Sequence, residues 1–80
     1  MNPQERLLSP KELAKILRVS AATINYYTNM GLFKPTDRKG NLRLYNRRET
    51  VGIFEKIQQL RREGYSLRLI QQRLEKGYSV

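Results

Sequence analysis

Two helix-start signals that lie close together limit what this chain can fold into. The segment Ser9–Glu12 is a capping box, with Ser at the N-cap, Pro at the first helical position and Glu at the third. An apolar stripe with helical spacing follows it: Leu13, Ile16 and Leu17. Ser20 is a second N-cap, and its helix runs to Gly31, a natural helix terminator. Two short helices with so tight a turn indicate a helix-turn-helix.

The middle of the chain changes from helix to strand character. Gly31–Pro35 leaves the second helix as an extended segment. Leu42–Tyr45 alternates apolar and polar side chains, which is the period of a half-buried strand. Between these segments, Thr36–Asn41 has the composition of a turn and carries two positive charges. The sequence therefore predicts a two-stranded ribbon with a basic tip, which is a wing.

Two more helices are predicted after the wing. Asn46–Glu49 is a second capping signature and opens the longest helix, expected from about Arg47 to Glu63 and ended by Gly64. Ser66 then caps a last helix that fades at Gly77. The order helix, helix, two-stranded wing, helix, helix predicts a mainly α, winged helix-turn-helix fold.

Eighty residues allow one small domain, expected over residues 8–77 after a flexible N-terminus at residues 1–7. Sixteen Lys and Arg against seven Asp and Glu give a net charge of +9, which favours nucleic acid, an anionic membrane surface or an acidic protein as partner. The chain has neither Cys nor His, which removes thiolate metal sites and the commonest neutral metal ligand, and we expect no metal. A domain this small has no room for a catalytic cleft with a cofactor, and no activated nucleophile is present, so we expect no cofactor and no enzymatic activity. No apolar run has the length of a membrane span, and no membrane partner is expected.

Four segments together resemble the DNA-binding domain of the MerR family in their order and spacing. They are Thr23–Tyr27, Gly31–Pro35, Arg43–Tyr45 and Leu60–Leu67. The resemblance implies a transcription regulator of bacteria or phage, cytoplasmic and associated with the nucleoid. It also implies double-stranded DNA as the partner, bound by a homodimer, with RNA polymerase as a possible further partner.

The resemblance also implies how the DNA is held, with the second helix in the major groove and the wing on the flanking backbone. It implies backbone contacts by four positions: Tyr26 or Tyr27, Arg43, Tyr45 and Arg61. The start of the last helix would approach a further phosphate. The family usually has Arg where this chain has Asn25, and often an acidic residue where it has Thr28. Specificity in this chain is therefore expected to depend more on the wing.

The residues themselves support a DNA-binding role. Arg43 is expected on the strand face opposite Leu42 and Leu44, in solvent, where a guanidinium can bind a phosphate through two hydrogen bonds. The small side chains of Ala21–Thr23 let the second helix approach base edges, and their methyl groups can contact thymine. The candidate DNA-binding residues are Ser20, Ala21, Ala22, Thr23, Asn25, Tyr26, Tyr27, Arg38, Lys39, Arg43, Tyr45 and Arg61.

Alternatives remain open at this stage. Tyr27 and Tyr45 have a second interpretation as rings at the edge of the core with hydroxyls at the surface. A short, basic, winged chain also fits a phage-type excisionase, an architectural factor that bends DNA. A protein–protein adaptor is a third possibility, in which the basic face docks on an acidic partner.

Overall fold

The computed structural model describes residues 6–75 and has the predicted mainly helical, winged helix-turn-helix architecture. Its elements are β1 (Leu7–Leu8), α1 (Pro10–Leu17), α2 (Ala21–Asn29), β2 (Asp37–Lys39), β3 (Leu42–Asn46), α3 (Arg47–Arg62) and α4 (Leu67–Glu75). The predicted end of the last helix at Gly77 lies outside the described residues.

The capping signals of the sequence form as predicted. The Ser9 hydroxyl accepts the Glu12 N–H at 3.2 Å, and the Glu12 carboxylate accepts the Ser9 N–H at 3.0 Å, so the capping box is complete. The Ser9 N–H lowers the pKa of Glu12, because this hydrogen bond favours the charged carboxylate. Ser20 and Asn46 accept N–H groups in the first turns of α2 and α3 in the same way.

The turn between α1 and α2 contains a residue in an unfavourable conformation. Arg18 follows the last residue of α1 and adopts the left-handed conformation, with φ 59° and ψ 45°. Among residues 6–75 it is the one non-glycine residue with a positive φ. Its N–H and that of Val19 both donate to the Ala14 carbonyl, which closes the end of the helix. The tight turn therefore imposes a backbone conformation that costs an L-residue free energy.

The wing forms, but its first strand is not where the sequence places it. The segment predicted as a turn, Thr36–Asn41, contains strand β2, which is antiparallel to β3. Lys39 pairs with Leu42, so Gly40 and Asn41 alone make the connection. Gly40 has φ +62°, which a two-residue hairpin turn requires. The strand was not predicted because its three residues are all exposed and turn-forming residues lie on both sides of it.

The segment Gly31–Pro35 is not a strand of the wing. Leu32 and Phe33 are buried in the core instead, and the N–H groups of both bond to the Tyr27 carbonyl at the end of α2. The extended segment that the sequence predicts is in fact a closing turn, because two adjacent apolar side chains gain more from burial than from strand pairing.

The start of the chain is a second correction. Leu7 and Leu8 form β1, which pairs antiparallel with β3 opposite Asn46 and Tyr45 and gives a sheet in the order β1-β3-β2. Leu8 is fully buried. The prediction of a flexible terminus at residues 1–7 is therefore wrong for Leu7, and residues 1–5 lie outside the described part. A strand of two residues is too short to show a period in the sequence.

The core face of β3 is the reverse of the predicted one. Tyr45 is 0% exposed, whereas Leu42 is 45% exposed. Arg43 shares the Tyr45 face, since alternate residues of a strand point to the same side of the sheet. The alternating pattern indicated which residues share a face, but the large ring of Tyr45 determined which face is buried.

Tyr45 connects the wing to α2 through a partly buried hydrogen bond. Its hydroxyl lies 2.7 Å from the Thr28 hydroxyl, which itself donates to the Ile24 carbonyl at 2.8 Å. Because the Thr28 proton is used in that bond, the Tyr45 hydroxyl is the donor to Thr28. Tyr45 belongs to the buried apolar core, whose other members are Leu8, Leu13, Ala14, Ile24, Leu32, Phe33, Ile57, Leu60 and Ile70.

Replacing Tyr45 by Phe tests this connection. We expect Y45F to lower the free energy of unfolding by about 1 kcal/mol, since one partly buried hydrogen bond is lost while Thr28 keeps its bond to Ile24. Y26F is the matched control, because Tyr26 is 53% exposed, and its change should stay within about 0.5 kcal/mol. Urea denaturation measures both, and equal destabilisation would contradict the assignment.

The conformation of Arg18 gives a stabilising substitution. We expect R18G to raise the free energy of unfolding by roughly 0.5–1 kcal/mol, because glycine adopts positive φ without the steric cost. K15G, at an exposed position inside α1, should instead lower stability by about 1 kcal/mol. Thermal unfolding of the two variants provides the comparison, and a loss of stability in R18G would show that Arg18 is not strained.

Candidate nucleic-acid interface

Helix α2 exposes one continuous stripe of small and uncharged side chains. Its exposed residues repeat at helical spacing along one face: Ala21, Ala22, Asn25, Tyr26 and Asn29. Ile24 on the opposite side is fully buried, which fixes the rotation of the helix on the core. The helix contains no Lys, Arg, Asp or Glu, so its surface is neutral apart from the positive dipole at its N-terminus.

Ser20 and Thr23 hold the start of this helix. The Ser20 hydroxyl accepts the Thr23 N–H at 3.1 Å and lies 2.9 Å from the Thr23 hydroxyl. Both side chains are thus engaged in the cap, with Ser20 exposed and Thr23 half-buried. Their structural role is to fix the helix N-terminus at the surface, which also leaves the Ala21 and Ala22 methyl groups exposed.

The structure separates the two tyrosines that the sequence left as alternatives. Tyr27 is half-buried and packs edge-to-face on Phe33, with ring centroids 5.2 Å apart, and it also contacts Phe54. This ring belongs to the core edge. Tyr26 is 53% exposed on the same stripe as Asn25, so its hydroxyl is free to reach a ligand.

The wing places positive charges directly opposite one another. Arg38 of β2 pairs with Arg43 of β3, so the two side chains lie on the same face of the ribbon, and Lys39 follows at its tip. Neither arginine has a carboxylate partner within the described residues. Asp37, the acidic residue of the wing, accepts the Arg38 backbone N–H at 2.7 Å and does not neutralise either guanidinium.

Tyr45 does not belong to this surface. Its side chain is fully buried and its hydroxyl is bonded to Thr28, so it has no atom available to a phosphate in this structure. The expected backbone contact by Tyr45 is therefore corrected to a structural role. The alternative interpretation, with the hydroxyl at the surface, is wrong for the same reason.

Thr28 is a residue whose role the sequence analysis missed. It registered there only as a departure from the family pattern. A threonine in the last turns of a helix can return its hydroxyl to the carbonyl four residues earlier, which Thr28 does with Ile24. This local hydrogen bond of threonine could have been predicted from the sequence. The contact with Tyr45 could not, because Tyr45 is 17 positions away and only the fold brings it to Thr28.

Arg61 belongs neither to α2 nor to the wing. It is exposed in the last turn of α3, followed by Gly64 with φ +100° and by α4. Cations are favourable at a helix C-terminus, so Arg61 has a structural reason to be there besides any ligand. Ser66 accepts the Leu69 N–H at 3.2 Å at the start of α4.

Most of the positive charge is not neutralised within the molecule. Residues 6–75 contain one ion pair, in which Arg6 lies 3.2 Å from Glu12 on the exposed surface. The exposed cations of the wing and of α3 are Arg38, Lys39, Arg48, Lys56, Arg61 and Arg62, in a chain of net charge +9. Arg43, which the sequence placed in solvent, is half-buried. Within the same residues, no helix is long and apolar enough to cross a membrane.

Comparison with known proteins identifies the family. The model of the MerR helix-turn-helix regulatory proteins matches residues 8–77. The fold is similar to the crystal structure of a MerR-family transcriptional regulator from Bacillus cereus, with a TM-score of 0.72 and 28% sequence identity over 86% of this chain. The match spans about half (52%) of that protein's chain. No curated protein matches this chain. The chain therefore belongs to the MerR family of helix-turn-helix regulatory proteins.

Proposed function

We propose that this chain binds double-stranded DNA sequence-specifically, with α2 in the major groove and the wing on the phosphates beside it. The observation that carries the proposal is the cross-strand pair of Arg38 and Arg43. Like charges directly opposite on a ribbon are destabilising in an isolated protein. A phosphate between two guanidinium groups turns that repulsion into binding, so the pair favours a polyanionic partner.

The division of chemistry between the two elements supports the same arrangement. The wing carries Arg38, Lys39 and Arg43, whose cationic side chains suit phosphates. Contacts to phosphates do not distinguish one base sequence from another. The stripe of α2 carries methyl, amide and phenol groups, which suit base edges. A helix with small side chains at its N-terminus can enter a major groove closely, while Arg61 is available for more distant backbone contact.

We also propose that the binding species is a homodimer on inverted half-sites. One module of this size buries only about 600–1,000 Å² on DNA, which gives weak binding at physiological salt. Two modules placed one helical turn apart would add their contacts and read a palindromic site. The same proposal includes contact with RNA polymerase, because the dimer acts at a promoter. It places the protein in the cytoplasm, on the DNA of the nucleoid.

Salt dependence distinguishes this function from an adaptor role. Neutralising four to six phosphates gives a plot of log K against log salt with a slope of roughly −4 to −5 per domain. Fluorescence anisotropy of a labelled duplex at about 50 and 200 mM salt measures this slope. Absent or salt-independent binding would refute the proposal and favour an adaptor. Steep dependence without sequence preference would favour an architectural factor.

The contribution of the wing can be isolated at Arg43. We expect R43A to weaken binding to every duplex and to reduce the salt slope by about one unit, because one phosphate contact is lost. K56A removes the same charge from an exposed position of α3 to which we assign no contact, and its slope should equal that of the wild type. An unchanged slope in a folded R43A protein would exclude Arg43 from the interface.

The role of α2 can be isolated at Ala22. We expect A22L to abolish the preference for specific over random duplex, since a larger side chain prevents the helix from approaching base edges, while the folded state is kept because Ala22 is exposed. Q58L makes an equally exposed apolar substitution on α3 and should leave the preference intact. Competition anisotropy gives both ratios, and a preference retained by folded A22L would mean that another element reads the sequence.

A further inference from the structure

The exposed face of α2 has a restricted set of chemical groups. Near the helix N-terminus it presents the methyl groups of Ala21 and Ala22, followed one turn later by the Asn25 amide. The helix has no cationic side chain anywhere along its length. Whatever base edges this face reads, it reads them with methyl groups, amides and one phenol.

These groups match one class of base pair. Guanine presents two acceptors in the major groove, and side chains that recognise it are usually Arg or Lys, which α2 lacks. Adenine presents one acceptor and one donor, which an Asn amide satisfies with one donor and one acceptor. Thymine adds a methyl group that packs against alanine methyl groups.

Two asparagines on the stripe are exposed, and their positions differ. Asn25 lies one turn after Ala21 and Ala22, in the middle of the helix and next to the N-terminal residues that contact base edges when such a helix docks. Asn29 is the last residue of α2, one further turn from the N-terminus. Within residues 6–75 neither amide takes part in a hydrogen bond, so both retain their full capacity for a ligand.

From this arrangement we infer that α2 selects A·T base pairs, with Asn25 as the residue that reads adenine and the Ala21 and Ala22 methyl groups packed on thymine. The inference rests on the proposed function, since it requires α2 in the major groove. The Asn25 side-chain oxygen accepts from the adenine N6 amino group, and its NH₂ group donates to adenine N7. Affinity then comes from the wing and discrimination from a neutral helix, in contrast to the expectation from the sequence that specificity depends more on the wing.

Selection from a duplex pool tests this directly. The chain is incubated with duplexes of randomised sequence at about 50 mM salt, where phosphate contacts are strongest, and the retained duplexes are sequenced. We expect enrichment of A·T pairs at the selected positions. Enrichment of G·C pairs there would overturn the inference and leave the proposed function intact, whereas retention with no sequence enrichment would overturn both the inference and sequence-specific binding. Failure to retain any duplex would overturn the proposed function itself, and with it this inference.

Matched variants assign the selectivity to one residue. For the selected duplex and its single A·T→G·C replacements, N25A should lose roughly 5- to 150-fold of discrimination at one base pair. N29A, which removes the same amide from the other end of the stripe, should retain it. N25R should shift the preference toward G·C, since Arg offers two donors to guanine. Circular dichroism checks that each variant is folded, and full discrimination in folded N25A would overturn the role of Asn25.

Discussion

The hydrogen bond from Tyr45 to Thr28 joins the two halves of the proposed DNA-binding surface. Tyr45 lies in the central strand of the sheet, which carries the wing, and Thr28 lies in α2. Tyr45 is fully buried and Thr28 half-buried, so breaking the bond leaves the Tyr45 hydroxyl without a partner away from solvent. The orientation of the wing relative to α2 therefore depends on a short, directional contact inside the core.

The remainder of the fold reinforces that orientation. Strand β1 covers the other edge of β3, and Leu8 opposite Tyr45 is fully buried. Phe33 follows α2 and packs its ring against Tyr27, which closes the core beneath the helix. Gln71 of α4 donates a hydrogen bond to the Met30 carbonyl at the end of α2. Tyr45 and Gln71, both distant in sequence, thus hold the C-terminal half of this helix, while its N-terminus is held locally by Ser20.

Charge and specificity are separated in this molecule. The cross-strand pair of Arg38 and Arg43 concentrates positive potential on the wing, where it is not compensated by a carboxylate of the described residues. Helix α2 carries none of that charge. Such a separation allows sequence preference to change through α2 alone, while the salt-dependent affinity stays with the wing.

The sequence alone determined the helices, because their start signals are local. Ser9, Ser20 and Asn46 each cap within three residues, so the information lies within one turn of helix. Together with the order of elements, these caps were sufficient to predict a winged helix-turn-helix. They did not separate the faces of α2, because the candidate residues included the half-buried Thr23 and Tyr27, and the burial of Ile24 determined which face is exposed.

Only the tertiary structure decided which side of the wing strand is buried and how the sheet is completed. The alternation of side chains along β3 is the same whichever face points inward. The contacts of Tyr45 with Thr28 and Leu8 determine which face is buried. Strand β1 pairs with a strand far along the chain, and β2 follows from the tight turn at Gly40. Neither strand has a hydrophobic period of its own in the sequence. Pairing and burial depend on contacts between distant residues, which local periodicity does not encode.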